Sequence, residues 1–85
     1  MAVSSVNSGT SSVQLVATNA QRRNLIIENT DANALYVLLG SGTASSSNMS
    51  FSLAQDKNAH IPGYTGQVMG IWAGDGAGAA KITEY

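Results

Sequence analysis

The chain has 85 residues, no cysteine, and a net charge of −1 from four basic and five acidic residues. These values indicate one domain, exclude disulfides and thiolate metal sites, and leave no basic patch of the kind that nucleic acid requires. No apolar run approaches the roughly 18 residues of a membrane-spanning helix. The first residues also lack the basic and apolar regions of a signal peptide, so we expect no membrane partner.

Residues 1–12 are mostly serine, glycine, asparagine, threonine and valine. This composition is typical of an extended arm or a short edge strand, and we place the folded domain at residues 13–85. Val13–Ala17 is the first strong strand prediction, with Val13 and Leu15 on one face and Gln14 and Val16 on the other.

The segment Arg22–Gly40 contains two hydrophobic runs joined by a polar turn. Leu25 and Ile27 share one face of the first run, and Leu35 and Val37 share one face of the second. A polar loop of about five residues between two such runs predicts a β-hairpin, and we expect the rest of the domain to form around it.

The second half of the chain predicts four more strands. Met49, Phe51 and Leu53 alternate with small residues, and further strands are predicted at residues 58–61, 67–73 and 79–85. The strand at 67–73 is apolar on both faces, which predicts burial on both sides. In a domain this small, a neighbouring subunit can supply one of those sides. Gly74–Gly78 predicts a hairpin loop before the last strand.

No window shows the apolar period of a helix with capping signals at both ends. Seven or eight short strands with turn signals about every 8–12 residues predict an all-β fold. We expect a small antiparallel β-sandwich or barrel, jelly-roll-like.

Candidate chemistry is sparse. His60 is the only histidine, and Asp56 is the only carboxylate within five residues of it, so neither a catalytic nor a metal site is predicted. The Gly-rich segments at 40–43 and 74–78 lack the lysine and the helix of a phosphate loop and are typical of turns. We therefore predict no enzymatic activity and no cofactor.

Four residues are candidates for contacts with other protein subunits: Arg22, Arg23, Tyr64 and Tyr85. The two arginines are adjacent, so on a strand they point to opposite faces. Either can pair with Glu28 or Glu84, or with a neighbouring subunit.

Among the aromatic residues, Phe51 and Trp72 are predicted to lie in the core because of their alternation. Tyr64 lies in a Gly/Pro-rich turn and is expected to be exposed or packed under a loop. The alternative is that Tyr64 and Trp72 form an aromatic platform that binds carbohydrate.

Charged residues make up only 11% of the chain, against about 25% in typical soluble domains. Domains this short are only marginally stable and usually need disulfides, metals or oligomerisation as additional support. Because no disulfide or metal site is predicted here, oligomerisation is the remaining support. The alternative is a small soluble domain covered by serine, threonine and asparagine. We favour a surface that is largely covered by neighbouring subunits.

The order of several short motifs resembles that of small structural proteins of tailed bacteriophages. The similarity covers roughly Val13–Tyr85 and rests on these residues: Arg22-Arg23 with Leu25, Ile27 and Asn29; Leu35-Tyr36-Val37 and Leu39-Gly40-Ser41-Gly42; Ile61–Gly66; Gly70–Ala73; and Ile82-Thr83-Glu84. The chain departs from the family pattern at Ala54–Lys57, where a Pro-Gly turn is common. It departs again at His60-Ile61, where an acidic or aromatic residue often precedes the proline.

The resemblance implies a non-enzymatic β-domain of the virion, made in the host cytoplasm. We expect a capsid decoration (cement) protein that stabilises the head shell as a homo-oligomer, with a trimer favoured. Its partners would be the major capsid protein or other virion proteins. A neck, tail or fibre-associated adaptor is the alternative.

Overall fold

The structure is a computed structural model that describes residues 2–85, and in this range the chain forms eight strands and no helix. Met1, the first residue of the predicted arm, lies outside the described residues. The strands are β1 (Ala2–Asn7), β2 (Val13–Val16), β3 (Asn24–Asn29), β4 (Leu35–Leu39), β5 (Phe51–Leu53), β6 (Lys57–Pro62), β7 (Val68–Trp72) and β8 (Ala79–Glu84). No helix long and apolar enough to cross a membrane occurs in this range.

The strands form two four-stranded antiparallel sheets that pack face to face. The first sheet has the order β1-β8-β3-β6 and the second has the order β2-β7-β4-β5, so the predicted all-β sandwich is confirmed. The pairs β1–β8, β2–β7, β3–β6 and β4–β5 are nested, as in one long antiparallel ribbon that has been rolled up. This nested pairing of eight strands in two sheets is the jelly-roll arrangement.

The core lies between the sheets and is built by alternation along each strand. In β3 the side chains of Leu25 and Ile27 are fully buried, while their neighbours are half-exposed. Ile82 of β8 and Val37 of β4 are also fully buried. Each such side chain contributes about 1.5–3 kcal/mol relative to full exposure, and the period of two predicts these positions correctly.

The predicted hairpin over Arg22–Gly40 is wrong. β3 pairs with β6 and β8 in the first sheet, whereas β4 pairs with β5 and β7 in the second. The connecting residues 30–34 therefore cross from one sheet to the other. Packed sheets are only about 10 Å apart, so five residues suffice for the crossing and the loop length does not distinguish it from a hairpin.

The predicted hairpin loop at Gly74–Gly78 is wrong for the same reason, because β7 and β8 belong to different sheets. Of the two apolar faces of β7, the domain itself buries one, and burial of the other against a neighbouring subunit stays a prediction. Val68 and Trp72 are buried between the sheets, but Met69 and Ile71 on the opposite face are half-exposed. Met49 lies outside β5 and is exposed.

Candidate functional site

A buried polar cluster ties the loops together at one end of the sandwich, and Asn29 is at its centre. The Asn29 Nδ2 group donates to the carbonyl oxygens of Asn33 and Leu53, each at 2.9 Å. The Asn29 Oδ1 atom accepts from the backbone N–H of Asp31 at 3.0 Å and from Trp72 Nε1 at 2.9 Å. This one fully buried side chain therefore links β3 to the following loop, to β5 and to β7.

Asp31 is the second member of the cluster and is also buried. Its Oδ2 atom accepts from the backbone N–H of Asn33 at 2.8 Å and from Asn33 Nδ2 at 2.9 Å. Its Oδ1 atom accepts from the N–H groups of Gly76 at 3.0 Å and Gly78 at 2.8 Å. A side-chain Cβ at position 78 would overlap the Asp31 backbone, so glycine is required for this approach.

These donors hold the pKa of the Asp31 carboxyl at about 2, below its ordinary value of 3.8. The backbone N–H of Asn33 has the largest effect, and with the Asn33 side chain and the Gly78 N–H it outweighs burial, which raises the pKa. The pKa of Asp75 is also lowered, chiefly because Ser8 Oγ donates to it at 2.7 Å. Ionised carboxylates thus stabilise this end of the fold.

Replacing Asp31 by asparagine is expected to lower the melting temperature of the domain at neutral pH. It is also expected to make the melting temperature fall less steeply as the pH is lowered. The folded-state pKa is lowered, so this stabilisation is complete above about pH 4 and is lost as pH falls towards about 2. Thermal melts of both proteins from pH 7 to pH 2 test this. Asp56→Asn is the control, because Asp56 is exposed and at φ 62° asparagine is accepted. Parallel pH curves for wild type and Asp31→Asn would contradict the assignment.

The cluster is structural, because its buried polar groups are already used. In residues 2–85 no buried side-chain nitrogen or oxygen lacks a hydrogen-bond partner. Within the same range, no three potential metal-ligating side chains lie together. The surface depression beside it, of about 440 Å³, is lined by Asn7, Ser8, Asp75, Ala77 and Gly78.

At the opposite end of the sheets, Arg22 makes a second buried polar centre. Its NH1 group lies 2.7 Å from the Glu84 carboxylate, and its side chain is fully buried. The same guanidinium donates to the carbonyl oxygens of Ala17, Tyr64 and Gly66. Pairing of an arginine with Glu84, one of the predicted alternatives, is therefore what the structure contains.

The four predicted contact residues have different environments. Arg22 is enclosed by its own domain and offers no exposed group to a partner. Tyr64 is half-buried: its ring lies beneath Arg22, and its hydroxyl donates to the Gln67 carbonyl at 2.7 Å. Arg23 and Tyr85 are exposed and remain candidates. The Tyr85 ring stacks on that of His60, with centroids 6.4 Å apart.

The alternative, a carbohydrate platform made by Tyr64 and Trp72 together, does not match the positions of the two rings. Trp72 is only 2% exposed, belongs to the core as its alternation predicts, and donates its Nε1–H to Asn29. Tyr64 is held under the Arg22 guanidinium. Neither ring is free to stack on a sugar. Phe51 is half-buried and packs against the core.

The outer face of the second sheet carries no charged side chain. All nine charged residues lie outside β2, β4, β5 and β7. The centre of this face, which we call the apolar face, consists of Tyr36, Leu38, Met69 and Ile71, all half-exposed. The register places Tyr36 opposite Ile71 and Leu38 opposite Met69, so the four side chains form one continuous surface. A depression of about 350 Å³ adjoins it at Ser45, Ser46 and Ala73.

The sequence predicts Met69 and Ile71 on a second apolar side of β7, but not that they adjoin Tyr36 and Leu38. The pairing of an arginine with Glu84 is one of the predicted alternatives, whereas the cluster around Asn29 and Asp31 is not predicted. The available signal for it is a polar pair at the end of a buried strand. A search of protein-family models, of curated proteins and of solved structures gives no match to the chain.

Proposed function

We propose that the chain is a non-enzymatic structural protein of a bacteriophage virion, and specifically a capsid decoration protein that stabilises the head shell as a homo-oligomer. It is made in the host cytoplasm and acts in the virion. Its partners are the major capsid protein or other virion proteins, without nucleic acid, membrane or cofactor. A trimer is the assembly expected at a three-fold position of the shell.

The apolar face is the observation that carries this proposal. A sheet surface with four adjoining apolar side chains and no charge suits contact with another protein, because no ion has to be desolvated on binding. The virion assignment comes from the sequence resemblance. Jelly rolls occur in viral capsid domains but also in lectins and cupins. The fold therefore agrees with the proposed function but does not distinguish it from the functions of other jelly-roll proteins.

The proposed mechanism is mechanical. A decoration protein sits where capsid subunits meet and buries surface across the joint. A standard interface buries about 1,600 Å² in total and can form a stable complex without a covalent bond or a catalysed reaction. Because such a ligand binds only the assembled shell, mass action then favours the shell over its free subunits.

Ile71→Lys, in the middle of the apolar face, is expected to weaken binding to purified head shells by roughly tenfold or more, because it buries an unpaired charge in the contact. Co-sedimentation with shells measures this. Thr83→Lys is the matched control: it adds the same charge to the outer side of a central strand in the first sheet, and binding should stay within about twofold. Equal binding by Ile71→Lys and wild type would contradict the proposed contact.

A neck, tail or fibre-associated adaptor is the second candidate, since an apolar face serves such a contact equally well. The two functions differ in stoichiometry. A shell protein is present in many copies distributed over the head, whereas an adaptor is confined to one vertex or to the tail.

A further inference from the structure

The free edge of β6 is protected against pairing with another strand. β3 pairs with β6, and the Gly63 N–H donates to the Arg23 carbonyl in the same register. Hydrogen-bonding alternates along an antiparallel strand, so Asn58, His60 and Pro62 direct their backbone groups outward. Pro62 has no N–H to donate. A proline at an outward position is a recognised device against edge pairing.

The two edges of the second sheet are also protected. β5 has only three residues, and very short edge strands resist pairing. β2 has four residues, and its register with β7 shifts between Gln14 and Val16. Such an irregularity twists an edge away from an incoming strand.

β1 is the exception among the edges of the described sandwich. It pairs with β8 over six consecutive residue pairs without a shift, and it contains neither proline nor charge. The Ser8 N–H donates to the Gly78 carbonyl in the β1–β8 register. By alternation, the backbone groups of Val3, Ser5 and Asn7 therefore point away from the sheet.

We propose that β1 pairs in antiparallel fashion with β1 of a second copy of this chain, across a two-fold axis at Ser5. Ser5 then lies opposite Ser5 of the other copy, and Val3 lies opposite Asn7. Every outward N–H and C=O group of these three residues gains a partner. The two first sheets become one continuous eight-stranded sheet. This proposal rests on the proposed function only in that copies of the chain associate with one another, and it is independent of location in the virion. A two-fold pairing closes as a dimer, so it replaces the trimer expected at a three-fold position.

A second copy is the occupant that this edge fits. An isologous contact requires a surface that is complementary to itself, and β1 brings no charge that would face its own copy. Val3 is 72% exposed, more than any other large apolar side chain described. It lies at the interface between the two β1 strands, so the pairing covers part of it. Backbone hydrogen bonds supply the affinity in this mode of association.

Ser5→Pro tests the pairing, because it removes one outward N–H and leaves the bonds to β8 intact. Ser5→Ala is the matched control, since it also lacks the hydroxyl but retains the donor. Light scattering at micromolar concentration should give a dimer for wild type and Ser5→Ala, and a monomer for Ser5→Pro. The buried Trp72 reports by fluorescence whether each variant folds. A wild-type monomer, or a Ser5→Pro dimer, would overturn the pairing.

Hydrogen exchange of the wild-type chain provides a readout that needs no variant. The amides of Ser4 and Val6 bond to β8 and are protected at every concentration. The amides of Val3, Ser5 and Asn7 should gain protection as the concentration rises. Rapid exchange of these three amides in a self-associated sample would show that another surface joins the copies.

Single cysteines test the register, and the chain has no native cysteine to interfere. Opposed residues in a hydrogen-bonded antiparallel pair have Cα atoms about 5.5 Å apart, within disulfide range. Ser5→Cys should therefore give a covalent dimer on oxidation. Val3→Cys should not, because the two copies of position 3 are displaced by about 13 Å along the strands in addition to lying on different strands. The reverse result would overturn the two-fold axis at Ser5.

The failure of this inference and the failure of the proposed function are distinguishable. A trimer in which Val3, Ser5 and Asn7 exchange freely would overturn the β1 pairing while leaving the decoration role standing. A β1-paired dimer that does not bind head shells would support the pairing and count against the decoration role. Binding of β1 to a capsid-protein strand instead of a second copy would overturn the inference alone.

Discussion

Asn29→Ala is expected to lower the free energy of unfolding by roughly 3–4 kcal/mol. The substitution removes four hydrogen bonds and leaves the Trp72 N–H, the Asp31 N–H and two carbonyl groups without their partner. Domains of this size are stable by only about 5–10 kcal/mol, so the variant is expected to be close to unfolding. Urea titration followed by tryptophan fluorescence measures the change.

Asn58→Ala is the matched control for this prediction, because Asn58 is an exposed asparagine on β6. Its free energy of unfolding should stay within about 0.5 kcal/mol of wild type. Trp72→Phe supplies a further check: it should cost less in the Asn29→Ala background than alone, since the hydrogen bond between the two side chains is already lost. Equal stability of Asn29→Ala and Asn58→Ala would show that the cluster contributes nothing.

Arg22→Met is expected to lower the free energy of unfolding by roughly 3 kcal/mol, because it leaves a largely buried carboxylate without its partner. Three carbonyl groups lose their donor in the same step. The expected effect is smaller in a Glu84→Gln background, where no carboxylate is left unpaired. Chemical denaturation of the single and double variants measures the coupling.

The neighbouring arginine is the natural control for this substitution. Arg23 precedes β3 as Arg22 does, but its side chain is exposed, so Arg23→Met should change stability by no more than about 0.5 kcal/mol. Comparable losses for the two arginines would contradict the assignment of Arg22 as the buried centre. An exposed Arg23 also remains available for contacts between subunits.

The fold class could be predicted from the sequence because burial alternates along single strands. Leu25 and Ile27, or Ala80 and Ile82, show the period of two without reference to any other segment. Strand pairing could not be predicted in the same way. The connection from Asn29 to Leu35 has the length and composition of a hairpin loop, but the side chains of Asn29 and Asp31 bond the loop inward and carry the chain to the other sheet.

The candidate surfaces were harder to predict than the fold, because their properties depend on neighbours distant in the sequence. Arg22 and Arg23 are chemically identical, and Arg22 is the buried one because Glu84 of β8 and three backbone carbonyl groups surround its guanidinium. The apolar face likewise requires β4 and β7 to be adjacent. Sequence alternation indicates that Tyr36 and Ile71 each point away from the core, but not that they lie side by side.

The most direct test of the central claim is the number and position of copies of this chain in the virion, measured by cryo-electron microscopy. The proposed role requires β-sandwich density at regular positions over the head shell, with the apolar face towards the capsid subunits and copies in contact with one another. Copies confined to the neck or tail would select the adaptor function. Absence of the chain from the particle would contradict the account as a whole.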